Sequence, residues 1–204
     1  EHTAVRAAVS EVFGQDRMPE FDIARADHIL SFGADFLGTW LSPVHYAVGY
    51  GEFRQGQEGV APATRKRGTM THVEPHFSLT AANADEWVYV NPGYEGILAL
   101  SIAYVLIDEG LAHGEAVQAM TGKPPSEALN VLRAFAPGTD VVKSTGVTAA
   151  QITNIAKELG GSGRSLVIGG GSAAAHTNGL FNMKAIYCLN HLVGSVGREG
   201  GVLF

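Results

Sequence analysis

Residues 74–96, EPHFSLTAANADEWVYVNPGYEG, constrain the fold of this chain more than any other stretch. An apolar strand is expected over Met70–Glu74; it closes on an acidic residue, and Pro75 stops it. An Ala-rich turn and an Ala-Asp pair come next, then a second strand over Trp87–Val90, a Pro92-Gly93 turn and a helical pattern starting at Glu95. Strand, acidic end, loop, strand, Pro-Gly turn, helix is the order in which a parallel α/β sheet builds a nucleotide pocket along its carboxyl edge.

The rest of the chain alternates in the same way. Residues 3–13 place Val5, Ala8, Val9 and Val12 on one helical face, and Gly14 ends that helix. Asp22 is expected to cap a short turn over Ile23–Ala26. A strand over His28–Phe32 runs into the turn Gly33-Ala34-Asp35, and the aromatic-rich Phe36–Tyr50 is expected to be helical beyond Pro43. Residues 51–68, rich in Gly and charge, are expected to form a mobile loop.

Glu95–Glu109 is apolar nearly all round, as in a helix packed on a sheet, with Gly110 as its C-cap. Leu111–Ala136 predicts one or two irregular helices broken at Lys123-Pro124-Pro125, and Pro137-Gly138 a turn. Thr148 caps a helix through Leu159, with Ile152, Ile155, Ala156 and Leu159 inward. A buried strand at Ser165–Ile168 leads into Gly169-Gly170-Gly171-Ser172, and a last helix covers Asn178–Val193, with Gly179 a weakness near its start. The pattern predicts an α/β fold: a Rossmann-like, mostly parallel sheet flanked by helices, forming one domain over residues 1–204. The abrupt opening at Glu1 and the apolar ending Val202-Leu203-Phe204 are those expected of a single domain within a larger multidomain protein.

Composition removes several functions. Net charge is −6 with no long basic run, which argues against nucleic acid as partner; Arg65-Lys66-Arg67 is expected to be a solvated turn. One cysteine, Cys188, excludes an intramolecular disulfide and any Cys-ligated cluster within this chain, and its apolar neighbours predict a buried thiol. No apolar run is long enough for a membrane span, so direct membrane insertion is not expected. With 46% apolar and 17% charged residues, the lightly charged surface suits a piece that packs against neighbours.

Three strands are each followed by a glycine-containing turn: Gly33-Ala34-Asp35, Pro92-Gly93 and Gly169-Gly170-Gly171-Ser172. Glycine lets a backbone approach a ligand closely, and a helix after the turn offers free N–H groups to anionic oxygens. The carboxylates at strand ends, Asp35, Glu74 and Glu95, can accept bonds from a ribose or from the N–H groups of guanine. His72 and His76 share a strand face, but Pro75 interrupts it and no third ligand is apparent, so no metal site is expected. His176 stands beside the last glycine turn, where it either contacts a dinucleotide or bonds nearby backbone. Asp85 is expected to brace the loop before Trp87, and Trp40, Tyr46 and Tyr50 to pack in the core or an interface. No nucleophile arrangement stands out, so no catalytic residue is expected here.

The segments ADHILSFGADFLGTWLSP (26–43), EPHFSLTAANADEW (74–87), NPGYEGILAL (91–100) and SLVIGGGSAAAHTNGLFNMKAIYCLNHLVGSVGREGG (165–201) resemble, in order and spacing, a region of the molybdopterin oxidoreductases of the dimethyl-sulfoxide-reductase type. The resemblance covers nearly the whole chain and implies the Rossmann-like domain that holds the guanosine end of a molybdopterin guanine dinucleotide. Carried over by position, it implies cofactor contacts from Gly33, Asp35, Glu74, His76, Gly93, Glu95, Gly170, Ser172 and His176.

Several of these positions depart from the family pattern. Glu74 and His76 stand for the Asp and Arg of a DPR motif, Tyr94 and Glu95 for the Thr and Asp of PGTD, and Ser172 for the second glycine of GMG. Each Asp-to-Glu change moves a carboxylate by a methylene, and His76 lacks the permanent charge and planar fork of Arg. Residues 32–56 further resemble the molybdopterin-like part of the large iron–sulfur subunit of alternative complex III and of menaquinone reductase complexes. That resemblance implies a scaffold with a degenerate pterin-dinucleotide site and iron–sulfur clusters elsewhere in the parent. Its implied partners are other domains of the parent subunit and the iron–sulfur and membrane subunits of a quinone-linked respiratory complex. Its implied place is peripheral, on the periplasmic or extracytoplasmic face of a bacterial membrane. The alternative is a functional dinucleotide-binding domain of a molybdenum or tungsten oxidoreductase.

Overall fold

The structure, a computed structural model, describes residues 2–55 and 66–204. Four short strands form a wholly parallel sheet: β2 (His28–Phe32), β3 (Thr69–Val73), β4 (Glu86–Val88) and β5 (Ser165–Gly169), in the order β4-β3-β2-β5. His28 lies opposite both Thr69 and Ser165, and Phe32 opposite Val73 and Gly169, so the three longer strands end level. All five residues of β2 and of β5 are buried, as expected of parallel strands covered on both faces. A separate antiparallel pair joins β1 (Glu20–Phe21) to β6 (Val202–Leu203), which the sequence patterning did not signal.

Helices fill the crossovers. α1 (His2–Phe13) turns Val5, Ala8 and Val9 inward and ends at Gly14, whose φ is +66°. α2 (Pro43–Gln55) joins β2 to β3, and α3 (Leu79–Asn83) joins β3 to β4. α3 replaces the expected Ala-rich turn, because the Ser78 hydroxyl accepts from the N–H of Ala81 and nucleates one short helix. Of the loop expected over residues 51–68, positions 51–55 extend α2, while 56–65, including Arg65 of the basic cluster, lie outside the described residues.

From β4 the chain runs through α4 (Glu95–Asp108), α5 (Gly114–Thr121), α6 (Pro125–Val131), α7 (Thr139–Thr145) and α8 (Ala149–Gly161) to β5, then through α9 (Gly179–Leu192) to β6. α9 packs on β5, α1 and α4. The cap at Thr148 is a full capping box with Gln151, and Ile152, Ile155, Ala156 and Leu159 are buried as expected. α7 follows the Pro137-Gly138 turn, in a segment whose helix the periodicity did not mark.

Some expectations change for local reasons. Asp22 makes no side-chain cap; its carboxylate accepts from the N–H of Gly200 at 2.9 Å and from Arg25 at 3.2 Å, tying the 194–201 glycine segment to the end of β1. Gly179 is no weakness: a Cβ there would stand 2.3 Å from the Ala174 carbonyl, so glycine lets α9 begin where it does. Cys188 is half-buried on α9, and burial pushes its thiol pKa up. No helix among the described residues is long and apolar enough to cross a membrane.

Candidate functional site

The sheet order places β3 on one side of β2 and β5 on the other, so the order of strand addition reverses between β2 and β5 while all strands stay parallel. Ligands of open α/β sheets sit at such a point, outside the carboxyl ends of the strands. A cavity of about 400 Å³ occurs there, lined by Gly33, Asp35, Trp40, Glu74, His76 and Ser172 among others. Five of the nine positions singled out in the sequence are thus brought together. Gly170 lies directly behind them. Gly93, Glu95 and His176 form a second group, and none of these three lines the cavity.

The two glycine turns close on each other. Gly33 has φ +63°, and a Cβ on it would stand 2.5 Å from Ser172 Oγ and 2.6 Å from the Ala173 nitrogen. A Cβ on Gly171 would meet the Gly33 oxygen at 2.0 Å, and one on Gly170 the Trp40 indole nitrogen at 2.2 Å. These glycines make room for neighbouring protein atoms. The turn N–H groups are used in the same way: Gly33 donates to Val73, Gly170 to Phe32, and Ser172 to Gly33.

α2 and α9 start where the sequence placed them, at Pro43 and Gly179, so neither follows its glycine turn directly; a single 3₁₀ turn, Gly171–Ala174, follows β5. Only the Gly93 turn runs straight into a helix, α4.

The carboxylates differ sharply in their partners. Asp35 Oδ1 accepts from the backbone N–H of Thr80 at 3.0 Å and from its hydroxyl at 2.7 Å, fastening the first turn to α3. Glu74, 1% exposed, accepts at Oε2 from His72 Nε2 at 3.2 Å; since a carboxylate offers no proton, that nitrogen carries one. Among the described residues its Oε1 has no hydrogen-bond partner, and His76 Nε2 stands 3.4 Å from it on the solvent side. Burial alone raises the Glu74 pKa, but hydrogen bonds from His72 and Ser78 and the two imidazoles outweigh it and hold the carboxyl below its usual range. Ser172 Oγ is likewise buried with no hydrogen-bond partner among the described residues.

Glu95 is fully buried at the first turn of α4. Its Oε2 accepts from Asn182 Nδ2 at 3.0 Å, Oε1 has no hydrogen-bond partner among the described residues, and burial raises its pKa. The same Asn182 donates to the Ala173 carbonyl at 3.1 Å and accepts from the N–H of Gly96 at 3.1 Å. Asn178 donates to the Gly93 carbonyl at 2.7 Å, and His176 is exposed close by. Asp85 takes the bracing role expected of it, accepting from Arg54, from Arg67 at 3.0 Å and from the N–H of Met70 at 2.8 Å.

Reading the sequence missed Trp40 as a cavity wall, Thr80 as the partner of Asp35, and Asn182 as the hub beneath Glu95. Two left a trace: Thr80 in the TAANAD run that matches the family pattern, and Asn182 as a polar residue on the inward face of an apolar helix. A larger cavity of about 560 Å³ lies between α4, α5, α6 and α9, lined chiefly by apolar groups such as Leu100, Met120, Leu132 and Phe181, and it touches neither glycine turn. Among the described residues no group of three or more His, Cys, Asp or Glu side chains is arranged to hold a metal ion.

No family model matches the chain. It is 29% identical, over 94% of its length, to the molybdopterin-binding-like subunit of menaquinone reductase from Nitratidesulfovibrio vulgaris. It is 30% identical, over 97% of its length, to a probable dimethyl sulfoxide reductase chain of Escherichia coli. A molybdopterin-containing subunit of arsenate respiratory reductase from a Shewanella strain is 24% identical over 90% of the chain. The chain spans about a quarter of these relatives, 26%, 26% and 23% of their lengths respectively. Among solved structures, acetylene hydratase from Pelobacter acetylenicus superposes over 95% of this chain and 24% of its own, with a TM-score of 0.70 at 19% identity, a likeness of fold.

Proposed function

The homologues of this chain are molybdopterin-binding oxidoreductase subunits of the dimethyl sulfoxide reductase family, and from that premise we propose that residues 1–204 form one domain of such a subunit in a quinone-linked respiratory complex. In this reading the domain is a scaffold whose dinucleotide site has degenerated. The observation that carries it is the donor set of the cavity at the reversal point.

A pyrophosphate needs cations, free backbone N–H groups or a helix N-terminus. Among the described residues, the cavity lining holds two carboxylates, Asp35 and Glu74, and no Lys or Arg. The N–H groups of Gly33, Gly170 and Ser172 are engaged within the protein, and Trp40 packs on Gly170 where a phosphate would approach. Glu95, at the position that reads guanine in the family, is sealed under α9 by Asn182. These residues do not fit a molybdopterin guanine dinucleotide. The relative in menaquinone reductase, described as molybdopterin-binding-like, is in keeping with that reading.

The partners proposed are other domains of the parent subunit together with iron–sulfur and membrane subunits of the complex, at the extracytoplasmic face of a bacterial membrane. Nucleic acid has no place in it, given a net charge of −6. By itself the domain is expected to be inactive in dye-linked reductase assays. The second reading, a working dinucleotide holder, draws on the unpartnered Glu74 Oε1 and Ser172 Oγ, which leave two buried polar atoms for a ligand to satisfy.

Metal and pterin analysis of the intact protein separates the two. Iron without molybdenum, tungsten or pterin is the expected result. One metal with two pterins per chain would overturn the scaffold reading and establish the second.

A further inference from the structure

The mismatch with a dinucleotide leaves a cavity whose own chemistry is specific. Glu74 is buried, its Oε2 fixed by His72, and its Oε1 without a hydrogen-bond partner. A carboxylate held in place with one oxygen unsatisfied is costly for the protein and strongly attractive to an incoming N–H donor. Ser172 Oγ, also buried and unpartnered, lines the same cavity and accepts a second N–H. Trp40, 5% exposed, contributes an indole wall, the aromatic surface with the greatest affinity for cations. Asp35 adds a second carboxylate, and among the described residues no Lys or Arg in the lining opposes them.

We infer that this cavity binds a small planar cation carrying N–H donors, an amidinium or guanidinium group, in place of the anionic nucleotide. The proposal rests on the reading that the domain does not hold the dinucleotide. A planar cation forms charge-assisted bonds to Glu74 Oε1 and Ser172 Oγ and lies against Trp40, while a volume of about 400 Å³ accommodates the group with a ring or short chain attached. His76, 63% exposed and 3.4 Å from the same Glu74 oxygen, stands at the solvent side and competes with the ligand for it.

Benzamidinium is the probe, titrated into the intact, pterin-free protein and followed by calorimetry and by tryptophan fluorescence, with pyrophosphate and benzoate as anionic controls. Saturable binding of benzamidinium and none of either anion is expected. Glu74→Gln should weaken it at least tenfold, Ser172→Ala a few-fold, and His76→Ala should tighten it. If Glu74→Gln fails to fold, Ser172→Ala and His76→Ala decide the matter, since the Ser172 hydroxyl has no partner to lose and His76 is exposed. No saturable benzamidinium binding, equal binding of the anions, or affinity unmoved in the folded variants would overturn the inference. Pterin in the protein as purified would instead overturn the scaffold reading, so the two failures are distinguishable.

Discussion

Replacing Asn182 with alanine removes the hub that joins α9 to the start of α4. Three buried groups lose their partner at once: Glu95 Oε2 at 3.0 Å, the Ala173 carbonyl at 3.1 Å and the N–H of Gly96 at 3.1 Å. Each buried polar group left unsatisfied costs about 1–3 kcal/mol. Water entering the space left by the amide offsets part of this, so a net loss of about 3–5 kcal/mol is expected. That is a large fraction of the roughly 5–15 kcal/mol available to a folded domain.

Urea denaturation of Asn182→Ala measures the loss, and a cycle with Glu95→Gln apportions it. Removing the carboxylate charge should recover part of the loss, giving a coupling of about 1 kcal/mol or more. Burial raises the Glu95 pKa, so the folded state binds the proton more tightly than the unfolded chain. Stability therefore falls as pH rises from 4.5 through the folded pKa, and Glu95→Gln should remove that slope. A loss below about 1 kcal/mol, or additive effects of the two substitutions, would refute the claim that Asn182 carries the buried Glu95.

Other outcomes follow from the same geometry. Gly171→Ala combines a φ of +51° with a Cβ only 2.0 Å from the Gly33 oxygen, and should cost about 3 kcal/mol or more in thermal or urea unfolding. Gly93→Ala, at φ +85° but with no atom nearer than 3.7 Å, should cost only the left-handed penalty of about 1–2 kcal/mol. His28 is pushed down to about 4 by burial, so the unfolded chain binds its proton first; stability present above pH 6.5 should decline by roughly 3 kcal/mol as pH falls to about 4, and His28→Leu should flatten that limb. Glu74, held below its usual range, contributes stability above pH 4.5 that is lost as pH falls through its folded pKa, and Glu74→Gln should blunt this acid limb. Thr148→Ala breaks the capping box of α8 and should lower stability by about 1 kcal/mol.

The strands of the parallel sheet and most helices were legible because they depend on neighbours close in sequence, whereas the β1–β6 pair joins the two ends of the chain and left no local signal. β2, α4, α8 and β5 appear within a residue or two of their expected limits, since an apolar run between turn residues or a 3.6-residue period reports local burial directly. α3 and α7 were not, because each is a short helix whose start depends on a single cap or turn. The identities of the strand-end glycines and carboxylates were equally plain, and so was their family order.

What those residues do was decided by contacts between distant segments. Asp35 and Thr80 are 45 positions apart, and Glu95 and Asn182 are 87 apart; no spacing rule predicts either pair. A glycine reads the same in sequence whether it makes room for a phosphate or for another turn. Only the packed sheet shows Gly33 closing on Ser172 and Gly170 on Trp40. The sequence by itself determined a parallel α/β sheet and the positions at its carboxyl edge. Tertiary packing determined that those positions mostly satisfy one another, leaving, among the described residues, one oxygen each of Glu74 and Glu95 and the Ser172 hydroxyl without a hydrogen-bond partner, because such partners are chosen by proximity in space.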